Sequence, residues 1–178
     1  GAVLEGFVHE ADWYATFAHL AGIDPTDDAA AASQPPLPPI DSLNVWDLIT
    51  GKNATSPRHE WALTPEGEDT TRAPHGGDAG YMLGGFKLLV GQVRQGGWCG
   101  QIHPNVSRPW DSFATVVDCG GPRSRIPGKV GCLFNVLDDP EERNDLAEVM
   151  PQKAQQLLGK LRAAQQGWFS PDRGKPQQ

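Results

Sequence analysis

No stretch of the chain approaches the ~18 consecutive apolar residues that a membrane-spanning helix needs, so a helical span is excluded. Basic residues never form a block: 15 Lys and Arg stand against 22 Asp and Glu, for a net charge of -7. The clustered cationic surface that draws phosphate backbones is missing, and nucleic acid is not an expected partner. No succession of charged, apolar and small residues marks a cleavable leader. The start at Gly1 rather than Met is read as the mark of a piece of a longer chain. Catalytic motifs are also missing. Without Gly-x-Ser-x-Gly there is no elbow for a serine nucleophile. Gly51-Lys52-Asn53 lacks both the upstream glycine and the Ser/Thr after lysine that a phosphate loop uses. His9, His19, His59, His75 and His103 are not spaced as helical metal pairs.

What is present suits one domain. A chain of 178 residues can bury a real core, while 21 Gly and 16 Pro assign much of its length to irregular connections. Of the three cysteines, Cys119 and Cys132 bracket a stretch rich in Gly, Pro and Arg that a disulfide would close. Cys99 is then a free thiol or the partner of a cysteine elsewhere in a parent protein. Three reduced cysteines in a cytosolic protein are the alternative. Zinc is disfavoured, because no Cys-x-x-Cys or close Cys/His pair occurs. Two sequons, Asn53-Ala54-Thr55 and Asn105-Val106-Ser107, lie in loop-like sequence and mark Asn53 and Asn105 as glycosylation candidates. With the cysteines they favour a secreted or lysosomal/endomembrane location.

Helical spacing of Trp13, Phe17, Leu20 and Ala21 predicts an amphipathic, packed helix over Asp12 to Ala21, stopped by Gly22. Ala29 to Pro39 reads as a connection, with polyproline geometry in QPPLPP. One or two helical turns are expected over Asn44 to Ile49, ended by Gly51, and a short strand at Trp61 to Leu63. In YMLGGFKLLV, Gly84-Gly85 joins two apolar runs and suits the positive backbone angles of a tight hairpin. Leu133 to Val136 would add a third strand. Between Val90 and Cys132 the expectation is mainly loop, with a short strand near Thr115 to Val117. Ala154, Leu157, Leu158, Leu161 and Ala164 predict a C-terminal helix after Pro151.

Two acidic features look chemical and are read as structural. His9 and Asp12 are explained by a hydrogen bond at a helix start. In Asp138-Asp139-Pro140-Glu141-Glu142 a proline interrupts the alternation a calcium loop needs, and carboxylates ahead of a helix complement its dipole.

Three ordered segments carry a family resemblance. Phe7 to Gly22, FVHEADWYATFAHLAG, resembles the sulfatase segment in which an apolar pair, His and Asp precede an aromatic, a Pro-Thr and a helix ending in Ala-Gly; Ala15 stands where Pro is usual. Ile40 to Trp46 is similar to the family's Leu-Asp-Gly-x-Asp/Asn-Val-Trp turn, with Ser42 in place of Gly. Phe86 to Gly91, followed by Cys132 to Val136 and Asp139 to Glu142, resembles the Trp/Tyr-Lys-Leu strand and the Leu-Phe/Tyr-Asp/Asn-x-x-x-Asp-Pro-x-Glu close. The combination fits the arylsulfatase B-like branch best.

The resemblance implies an α+β fold: a small antiparallel sheet of about three or four strands with a packed C-terminal helix. Such a unit resembles the C-terminal subdomain of the alkaline-phosphatase-like sulfatase fold, here spanning 1–170, with a flexible tail at 171–178. It also implies a parent that hydrolyses sulfate esters on a sulfated small molecule or glycan, using calcium and a formylglycine made from Cys in Cys-x-Pro-x-Arg. No cysteine here meets that pattern. Cys119 begins CGGPR, with proline one place late, so no catalytic or metal residue is carried over. The subdomain would pack on a preceding sulfatase domain. Trp98, His103 and Trp110 are the residues expected to border its substrate cleft. The alternative is a non-catalytic secreted module of the same fold that binds carbohydrate or protein.

Overall fold

A computed structural model of the chain describes residues 3–34, 37–64, 79–95, 115–121 and 124–166. The chain falls into two compact units, Gly1–His59 and Glu60–Gln178.

In the first unit, α1 (Asp12–Ala21) ends at Gly22, whose φ of 69° sets the left-handed stop expected there. The amide of Ile23 closes the cap on Ala18 O at 2.9 Å. Within the expected connection lies a short helix, α2 (Asp28–Ala31), started by Asp27, whose side chain accepts from the Ala30 amide at 2.9 Å. A single turn, α3 (Trp46–Ile49), precedes Gly51.

The second unit is a sheet with a helix on it. Strands β1 (Glu60–Thr64), β2 (Ala79–Leu83), β3 (Phe86–Val90) and β6 (Cys132–Asn135) form an antiparallel sheet in the order β1-β2-β3-β6. The ribbon of β4 (Gln92–Gln95) and β5 (Thr115–Asp118) forms a second, two-stranded sheet. Side chains alternate along β2, β3 and β6. Tyr81, Leu88, Val90 and Leu133 join Ala154, Leu157 and Leu161 of α4 (Pro151–Gln166) in one buried core, while Cys132 and Phe134 form another with Cys119 on the opposite face. Register confirms the alternation, with Leu88 opposite Leu133 and Leu89 opposite Cys132.

The hairpin turn differs from expectation. Only Gly84 takes a positive φ, 56°, whereas a Cβ at Gly85 would meet Leu137 Cδ1 at 2.8 Å, so that this exposed side chain would have to turn aside. The sequence reading also missed β4, which pairs with the expected strand near Thr115.

At the end of β5, Asp118 holds the loop that follows. One carboxylate oxygen accepts from the Gly120 amide at 3.0 Å and the other from the Arg125 amide at 2.6 Å. The Arg125 N–H, foremost among these donors, brings the carboxyl down to about 2 from its ordinary 3.8. A depressed folded-state pKa means that the contribution to stability is complete above 3.8 and is lost as pH falls through about 2. Asp118→Asn should therefore be less stable than the parent chain at neutral pH, with the difference closing across that acid window. Parallel urea titrations from neutral to strongly acid pH test it; a pH-independent difference would rule it out.

Candidate functional site

Within each unit, parts of the chain that carry the resemblance meet in space: the first two segments in Gly1–His59, and the two halves of the third in Glu60–Gln178. Asp12, fully buried at the start of α1, accepts from the backbone amides of His9 at 2.9 Å and Leu43 at 3.0 Å. His9 Nδ1 in turn accepts from the Ala11 amide, so this pair is a helix-start device, as its spacing suggests. One turn on, Thr16 Oγ1 donates to Asp12 O at 2.7 Å and accepts from the Val45 amide at 3.0 Å. Two backbone amides of the 40–46 turn, those of Leu43 and Val45, are thus captured by polar side chains of α1.

Ser42 makes the most unusual of these contacts. Its hydroxyl donates to Ala11 O at 2.6 Å and accepts from the Ala15 amide at 2.8 Å, standing inside the first turn of the helix ladder. The two positions that depart from the resembled pattern, 15 and 42, therefore touch. Proline at 15 would supply no N–H, and glycine at 42 no hydroxyl.

A charge that the sequence reading missed completes the cluster. Arg58 is 3% exposed and grips Asp12 through Nε at 2.8 Å and Nη2 at 2.6 Å, and Nη2 also donates to Asp41 O at 2.6 Å. Burial pushes the Asp12 carboxyl up, but the Arg58 guanidinium and the His9 and Leu43 amides outweigh it and hold it below the usual carboxylate range. With its donors spent on Asp12 and Asp41, Arg58 is a structural cation and not a sulfate cradle.

The other face of α1 reverses the expectation of a packed stripe. Trp13, Phe17 and Leu20 are 41%, 58% and 49% exposed, and the helix buries Asp12, Ala15 and Thr16 instead. Trp13 and Phe17 stack on each other with ring centroids 5.4 Å apart. Apolar spacing located the stripe correctly; no described residue of the chain covers it.

In the second unit the acidic turn is likewise structural, for a reason other than the helix dipole. Helix α4 starts only at Pro151, beyond the reach of Asp138 to Glu142. Instead, Lys87 Nζ on β3 donates to Glu142 Oε1 at 2.7 Å, linking the two halves of the third resembling segment. Glu142 holds a φ of 54°, which is uncommon for a residue with a side chain. Asp139 accepts from the Asn144 amide, and Asp145 accepts from the Leu133 amide at 2.9 Å.

Cys119 and Cys132 form the expected disulfide, both buried on the sheet face away from α4. Asn53 lies exposed after α3. Trp98, His103, Trp110, Asn105 and Cys99 fall outside the described residues. Neither group implied by the resemblance finds its residues among those described. No cluster of three or more His, Cys, Asp or Glu side chains is arranged for calcium, and the near-miss Cys119 is tied in the disulfide and closed to conversion into formylglycine.

No family model matches the chain. Among solved structures it is similar to one from Bacteroides thetaiotaomicron, described under the metabolism of multiple glycosaminoglycans by a versatile core genetic locus and labelled 6S-sulf. The TM-score is 0.49 at 18% identity, over 87% of this chain and 24% of that one. A likeness of that size assigns no activity to this chain.

Proposed function

We propose that the chain is the C-terminal part of an arylsulfatase-like sulfuric ester hydrolase whose nucleophile, calcium and sulfate ligands belong to a preceding domain. One observation carries the reading: residues of the resembling segments, far apart in sequence, bond to each other. Asp12 reaches Leu43 across 31 positions, and Lys87 reaches Glu142 across 55. Chance matches to short patterns have no reason to converge in this way. The exposed Trp13–Phe17–Leu20 face of α1 supports the same reading, as the surface that packs on the catalytic domain. Trp98, His103 and Trp110 are proposed to border the cleft. The buried disulfide supports a secreted or lysosomal/endomembrane parent.

On this reading the chain contributes stability and a wall of the cleft, and no reacting group. Incubated with a generic aryl sulfate, calcium and the formylglycine-generating enzyme, it should release no sulfate. The full-length parent should release sulfate, and lose that activity when the Cys of its Cys-x-Pro-x-Arg is changed to Ala. A full-length reading frame without that motif would overturn the proposal, and glycan binding without turnover would favour the non-catalytic module.

A further inference from the structure

We infer that Asn53 is an acceptor for an N-linked glycan. The triplet Asn53-Ala54-Thr55 has no proline at its centre, and all of its residues are exposed, in irregular backbone just past α3. Its local geometry is ordered. Asn53 Oδ1 accepts from the Thr55 amide at 3.0 Å, closing a turn that holds the threonine beside the carboxamide. The Asn53 amide is anchored on Asp47 O at 2.9 Å. Among the described residues no hydrogen bond occupies Asn53 Nδ2, the atom that would carry the sugar.

The co-reactant is a lipid diphosphate-linked oligosaccharide. Nδ2 forms a bond to the sugar C1 and gives up one proton, the bond from C1 to the phosphate oxygen breaks, and the lipid diphosphate leaves; nothing is oxidised or reduced. A bulky, hydrated glycan at this point requires the end of α3 to face solvent in the intact protein. Docking of the parent domain is then confined to other faces of the unit, such as the aromatic face of α1.

The inference rests on the oxidising-compartment part of the proposal above. The test is to express the chain behind a secretory leader in eukaryotic cells, in an Asn105→Gln background so that only Asn53 reports. Peptide mapping should show a glycan on Asn53 whose enzymatic release leaves Asp, and its complete loss in both Asn53→Gln and Thr55→Val. A bare Asn53 in secreted chains whose Cys119–Cys132 disulfide has formed would overturn the inference. Sulfate release by a full-length parent with Asn53 bare would sink this inference and leave the hydrolase reading standing; a glycan on a parent that releases no sulfate would do the reverse.

Discussion

Replacing Arg58 with Met should destabilise the Gly1–His59 unit by about 3–5 kcal/mol, the usual cost of removing one partner from a buried ion pair. Asp12 is 0% exposed, so the substitution leaves a carboxylate sealed from water with only two backbone amides to satisfy it. The pH dependence should change as well. In the parent chain Asp12 is held below its ordinary 3.8, so its contribution is present above that value and lost as the solution is acidified. Without Arg58, burial prevails and raises the carboxyl, so the variant should lose less on acidification and the gap between the two should narrow. Asp12→Asn added to Arg58→Met should recover part of the loss by removing the stranded charge. Hydrogen exchange of the α1 amides, read by mass spectrometry from neutral to acid pH, is the measurement. Unchanged α1 protection in Arg58→Met would show that the pair does not hold the unit.

Leu157→Ala should lower the stability of the second unit by about 2–5 kcal/mol, the range for emptying a fully enclosed leucine site. Leu157 is 0% exposed within the core that includes Tyr81, Leu88 and Leu133. Leu158, one position on, is only partly buried against that core and should cost less. The comparison is sharper than either substitution alone, since it reads the rotation of α4 on the sheet. Thermal melts of both variants would settle it; a Leu158→Ala loss equal to or above that of Leu157→Ala would mean that the helix is turned the other way.

Where pattern and partner lie close together, the fold was legible in the sequence. Both long helices and the Gly84-Gly85 hairpin come from local apolar spacing and turn chemistry, and Leu133 to Asn135 was legible as a strand though its partner in β3 was not. Strand β4 was not legible, because Gln92-Val93-Arg94-Gln95 has a single apolar residue and gains its place from pairing with β5. The Arg58 cluster was hidden for a related reason: Arg58 lies 46 positions from Asp12 and has no periodic neighbours of its own. One signal did exist. Asp12, Ala15 and Thr16 share the helix face beside the aromatics, and two polar residues with an alanine on one face foretell polar docking rather than a greasy seam. Spacing on α1 could reveal a stripe, but not that it stands exposed among the described residues.

Ser42 also makes the residue at position 15 a condition for its own place, across 27 positions of the chain. With proline at 15, the hydroxyl would face an imide nitrogen with no hydrogen to give it. With glycine at 42, the Ala15 amide would be left to bond to Ala11 O directly, so Ala15 does not depend on the serine in return. The dependence runs one way: Ser42→Gly should leave the first turn of α1 closed, whereas Ala15→Pro should strand the Ser42 oxygen without its donor.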